Sequence, residues 1–200
     1  MIEILMLVIN LLFFLSFERT RPQPQEILPI VVISCGASLG RVIFSIIPQV
    51  QPVTVLVIVM GSVYGCRNGF VTGALCALIS NLFLGQGPWT LYQMTAWGIV
   101  GFLAGLLEKV IFTRNEKIKC VIYSFYSFLA AFLFSIITDF LTISYLGESV
   151  TFASALTVFT TGIVFNIGHA VFNVILMLFL YGILSRKLIR VRNKSKKIRI

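Results

Sequence analysis

Between Arg67 and Glu108 the chain carries no charge, and in the middle of that stretch stand Gly85, Gln86, Gly87, Pro88 and Trp89. Glycine leaves the backbone loose and proline lacks a donor, so this run cannot continue a helix. It reads as a turn between two apolar helices. The whole chain of 200 residues is 58% hydrophobic and 12% charged, with a mean hydropathy of +0.99. A soluble domain of this size has no core large enough for so much apolar surface, so the expectation is an all-α, polytopic membrane protein. An uncharged turn dips toward a bilayer only where protein or a water-filled cavity surrounds it. In that case Asn81, Gln86, Trp89, Thr90, Gln93 and Trp97 line a polar, aromatic site. The plainer alternative is a tight hairpin with Trp89 as an interfacial anchor.

Taken in order, residues 1–17 form an apolar helix marked only by Glu3. They lack a basic leader and a small-residue cleavage site, so they are expected to be retained. A linker with Pro22 and Pro24 follows, then helices over about 27–47, 53–65, 70–84, 90–107, 121–146 and 152–184. The expected turns are 48–52, 66–69, 85–89, 108–119 and 147–151, and the basic residues fall in alternate ones. Arg19 and Arg21, Arg67, Lys109 to Lys119 and the tail 186–200, with four Lys and four Arg, form one set; 48–52, 85–89 and 147–151 hold no Lys or Arg. The positive-inside rule makes the first set cytoplasmic. Seven spans result, with the N-terminus outside and the C-terminus inside a cell membrane. The basic tail suits anionic lipid rather than nucleic acid. Cys35, Cys66, Cys76 and Cys120 have no metal or redox spacing and read as packing residues.

Three ionisable groups stand inside helices: Arg41, Asp139 and His169. A charge in the bilayer costs at least a few kcal/mol, so each is expected to face protein or water. Arg41 and Asp139 both belong to the outer half, where they pair with one another, line a pocket, or do both. Asn166, His169 and Asn173 recur at i, i+3 and i+7, one polar stripe on an apolar helix. With no second histidine, the stripe suits helix contacts or a substrate better than a metal. Glycines at small-residue spacing, Gly36/Gly40, Gly69/Gly73 and Gly98/Gly101/Gly105, let helices approach closely, inside the chain or against a partner. No nucleotide-binding loop, zincin motif or nucleophile elbow is present, so neither ATP hydrolysis nor another enzymatic activity is expected. No cofactor is expected either.

Residues 41–54 (RVIFSIIPQVQPVT) resemble the first core helix and outer loop of the substrate-binding S components of energy-coupling factor (ECF) vitamin transporters. Residues 67–75 (RNGFVTGAL) and 80–90 (SNLFLGQGPWT) resemble the hairpin that follows, and 93–101 (QMTAWGIVG) extends it. The resemblance covers about residues 22–107, and these phrases are most similar to the cobalamin branch. It implies a six-helix core over 18–185, with 1–17 as an extra N-terminal helix and 186–200 as a basic cytoplasmic tail. It also implies a ligand pocket on the outer side, with a vitamin as ligand and cobalamin first among them. Its partners would be a transmembrane coupling subunit and two ATP-binding-cassette ATPases. Members carry Ala-x3-Ala on the first core helix to meet that subunit; this chain has Gly36 and Gly40, offset by Ala37.

The expected function is therefore capture of a vitamin for an ATP-driven importer. Gln49, Gln51 and Gln86 offer amide donors and acceptors from the outer turns, and Trp89, Tyr92 and Trp97 offer flat faces. A corrinoid, large and rimmed by amides, would suit such a surface. Two other classes stay open at this point: a self-sufficient facilitative or proton-coupled carrier using Asp139 and His169, and a membrane enzyme using the same residues.

Overall fold

A computed structural model describes residues 2–147 and 150–197. All regular elements among them are helical: α1 (Ile2–Arg19), α2 (Pro24–Ile43), α3 (Val53–Tyr64), α4 (Cys66–Leu84), α5 (Trp89–Val110), α6 (Glu116–Tyr145), α7 (Phe152–Thr161) and α8 (Ile163–Lys197), with a 3-10 turn at Phe44–Ile46. Helices α2 (with its 3-10 turn), α4, α5, α6 and α8 are long and apolar enough to cross a membrane; α3 is a shorter apolar helix. The fold is all-α and polytopic, as expected.

Helix α3 sits at the centre, packed against α2, α4, α5 and α8. Val53 to Val63 are buried except Leu56, as an all-round apolar helix requires. Helix α1 lies outside, against α4 and α5. There Phe13 stacks on Phe70 with ring centroids 3.7 Å apart, and Asn10 Nδ2 donates to Thr95 Oγ1 at 2.7 Å.

The helix limits correct the sequence reading in three places. Residues 66–69, expected in a turn, are the first turn of α4. The chain reverses instead through Gly65 alone, whose φ of +91° only glycine adopts cheaply. Residues 108–110 and 116–119, expected in a loop, belong to α5 and α6, because the Asn115 side chain caps α6 by accepting from Lys117 and Ile118 N–H. The expected single helix over 152–184 is broken at Gly162, and α8 then runs on without interruption through Arg186. Of the expected 147–151 turn, Glu148 and Ser149 lie outside the described residues.

The tightest seam joins α4 to α5. A Cβ on Gly69 or Gly73 would strike the backbone of Gly101 or of Trp97 and Gly98; one on Gly101 would meet Gly69, and one on Gly105 would meet Cys66. Gly61 of α3 abuts Gly101 in the same way. These small residues thus serve internal packing. Charges collect at one end of the bundle. Arg21, Arg67 and Lys109 line one cavity there, Glu108 and Lys119 form an ion pair, and Arg192 Nη1 donates to Val63 O at 2.6 Å. The turns at 47–52 and 85–88 lie at the other, uncharged end.

Candidate functional site

Helix α2 turns a polar edge toward α4. Ser34, Ser38 and Arg41 are all buried and fall at i, i+4 and i+7. Ser34 Oγ donates to Thr72 O at 3.4 Å and Ser38 Oγ to Cys76 O at 3.1 Å. Spacing on one helix face brings the third member, Arg41, level with Ser80 and Asn81.

Arg41 is the hub. It is 7% exposed, and Nη1 donates to Ser80 Oγ and to Asn81 Oδ1, each at 2.6 Å. Nη2 donates to Gln93 Oε1 at 3.3 Å, and the guanidinium lies 5.0 Å from the Trp97 ring centre. Asn81 Nδ2 donates to Gln93 Oε1 at 2.9 Å and to Thr90 Oγ1 at 3.0 Å, and Thr90 Oγ1 donates to Gln86 Oε1 at 2.8 Å. Helices α2, α4 and α5 are thereby tied by one amide network. The partners of the buried charge are all neutral. Arg41 is not paired with Asp139; the ion pairs found among the described residues, Lys119–Glu108 and Arg186–Glu116, lie at the charged end. Hydrogen bonds to a charged group contribute about 1.5–3 kcal/mol each, enough in sum to offset the several kcal/mol lost on desolvation. Arg41 Nε has no partner, so the guanidinium keeps unused donor capacity.

A second chain of contacts starts at Trp97, which is wholly buried. Its Nε1 donates to Thr54 Oγ1 at 3.1 Å, and Thr54 Oγ1 lies 3.3 Å from His169 Nε2. Phe134 closes the group, with its ring centre 4.5 Å from Trp97 and 6.1 Å from His169. Trp97 lies eight residues into α5, roughly 12 Å from its uncharged end. The site is therefore inside the bundle, one to three turns from that end.

The structure brings together Arg41, Asn81, Gln86, Thr90, Gln93 and Trp97 from the sequence reading, with His169 reached through Thr54. Asn166 accepts from Ser135 Oγ at 2.8 Å and buried Asn173 donates to Ser127 O at 3.5 Å, so the stripe on α8 faces α6 as well as α3. Other residues stand apart. Trp89 is 41% exposed, folds over Gly87 and donates to Gly85 O at 3.2 Å, the geometry of an anchor. Gln49, at φ +65°, and Gln51 make no hydrogen bond, and Asp139 is half-buried. Tyr92 is fully buried with an unpaired hydroxyl. On α2, a Cβ at Gly36 would meet nothing, whereas Ala37 is fully buried and a Cβ at Gly40 would lie 2.7 Å from Pro52 Cγ. Of these three, Gly36 is exposed, Gly40 half-buried and Ala37 buried.

Ser34, Ser38, Ser80, Thr54 and Phe134 were not picked out in the sequence. The first two carried a readable signal, since polar residues at 34, 38 and 41 mark a single edge of an apolar helix. Thr54 and Phe134 carried none, because a hydroxyl at a helix start and a phenylalanine among apolar residues are ordinary.

No curated protein and no solved structure matches the chain. A protein-family model described as "ECF-type riboflavin transporter, S component" matches residues 27–186. The matched segment runs from α2 into α8 and does not include α1. On that match, the chain belongs to the ECF-type riboflavin transporter S component family.

Proposed function

We propose that this protein is the substrate-capturing membrane subunit of an ATP-driven importer, and that riboflavin is its ligand. The observation that carries the reading is the family match over residues 27–186. The site supports it with chemistry of the right kind. A flavin is a flat ring with a polar edge of alternating acceptors and a donor. Trp97 and Phe134 supply aromatic rings, while Asn81, Gln93 and Arg41 supply amide oxygens and N–H groups hydrogen-bonded to one another. For the ligand to be taken from outside, the uncharged end faces outward and α8 ends in the cytoplasm, in keeping with the basic loops. A coupling subunit and two ATPases supply the energy.

Cobalamin is the second candidate, favoured by the similarity of residues 41–54 and 80–90 to that branch and by the glutamines of the outer turns. A corrinoid is far broader than a flavin, and Gln86 is already engaged with Thr90 and with Leu78 O at 3.0 Å. Riboflavin is accordingly the first choice. Calorimetry on the purified protein with both vitamins tests the reading. The expected result is saturable binding of riboflavin at one per chain and none of cobalamin. The reverse would move the ligand to the corrinoid, and binding of neither would remove vitamin capture by this site.

A further inference from the structure

We propose that the junction of α1 with α4 and α5 at the charged end binds the phosphate headgroup of an anionic phospholipid. A cavity of about 550 Å3 opens there, with Arg21, Arg67, Lys109 and Glu26 in its wall. A second hollow of about 360 Å3 shares Ser16, Thr20 and Arg67 with it, and adds Arg19, Leu12 and Leu15. Arg67 stands in both, so the two are neighbouring parts of one groove. Four cations thus face a single carboxylate, and none of the four side chains makes a hydrogen bond or ion pair among the described residues.

Like charges on two packed helices repel each other unless an anion lies between them. Arg19 belongs to α1 and Arg67 to α4, so their repulsion acts on the seam between those helices. The hydrogen bond that fastens α1 to the core lies further along, at Asn10 to Thr95, and the Phe13–Phe70 stack is beside it. Toward the charged end no hydrogen bond crosses from α1 to α4 or α5 among the described residues. A bound anion at Arg67 would complete the seam.

The shape of the groove selects the anion. Its apolar wall is Leu12 and Leu15, which are 59% and 40% exposed. That wall is where an acyl chain rests when a headgroup reaches the cations at the membrane surface. A free phosphate would satisfy the cations and leave the leucines uncovered. The proposal needs only the membrane placement of the helices and is independent of which vitamin the other site takes.

The test uses the full chain in detergent, by native mass spectrometry and thermal unfolding with phosphatidylglycerol, phosphatidylcholine or inorganic phosphate. Phosphatidylglycerol should stay bound and raise the unfolding temperature, less so at high salt, and the other two should do neither. Arg67→Gln should weaken phosphatidylglycerol binding about fivefold, the equivalent of roughly 1 kcal/mol for a basic residue at the membrane surface. Arg67→Lys should retain most of the affinity, and Lys117→Gln, in the first turn of α6 and outside both hollows, all of it. Lys109→Gln provides a second reading from another helix, should Arg67→Gln fold poorly. Equal retention of phosphatidylcholine, or undiminished binding in both glutamine variants, would overturn the site. Full stabilisation by phosphate alone would overturn the lipid assignment and leave a free-anion site.

Discussion

The two ends of the bundle hold their charges in opposite ways. At the uncharged end Arg41 is buried among a serine hydroxyl, two amides and an indole, with no acid beside it. At the charged end Glu108 is joined to Lys119 and accepts from Tyr123 at 2.8 Å, while Arg192 ties α8 to the end of α3. Neutral amides carry both donors and acceptors, so a ligand with a polar edge can replace one of them without leaving a charge unmatched. An ion pair cannot exchange partners so cheaply, since removing either member strands the other. On the proposed function, the difference suits the first end to capture and the second to anchoring.

The largest effect is expected at the hub. Arg41→Ala should lower affinity for the captured vitamin by about 2–4 kcal/mol, as loss of a central, desolvated contact does. Calorimetry would show it, and Arg41→Lys should recover part of the loss; undiminished binding by Arg41→Ala would take the guanidinium out of the site. Next comes Glu108→Gln. Thermal unfolding should show a loss of about 1–3 kcal/mol in stability, with ligand affinity unchanged, because a charge-assisted contact is lost far from the site. A parallel fall in affinity would show that the ends are coupled and undo the contrast. The smallest changes belong to the turn. Gln86→Ala should weaken binding by about 1 kcal/mol through the loss of support for Thr90. Trp89→Ala should do less, because that ring is partly exposed; a larger loss than at Arg41 would move the site outward to the loop.

Much of this was legible in the residues themselves. The glycine spacings on α4 and α5 announced a close seam, and the i, i+3, i+7 stripe on α8 announced an inward polar face. The alternating basic loops announced one charged end. Other features could not be read. Gly65 reverses the chain by one left-handed residue, so the polar residues after it look like a turn yet begin a helix. Asp139 looked like the natural partner of Arg41 because opposite charges are sought first, whereas amides on α4 and α5 reach the guanidinium by tertiary placement. Gly162 breaks a helix whose apolar pattern continues on both sides. Which vitamin fits is a matter of shape, and the residue types near Trp97 would serve several.

The seam between α4 and α5 has one more consequence, and it concerns motion. Interlocked backbones without room for a methyl group cannot slide or roll past each other, so these two helices and α3 move as one plank. Asn81, Thr90, Gln93 and Trp97 all ride on that plank and keep their spacing through any rearrangement. On the proposed function, whatever opens to admit a ligand is then carried by α6 and α8, which bring Phe134 and His169, because α2 is tied to α4 through Ser34, Ser38 and Arg41. The protein is built as a fixed wall with movable shutters.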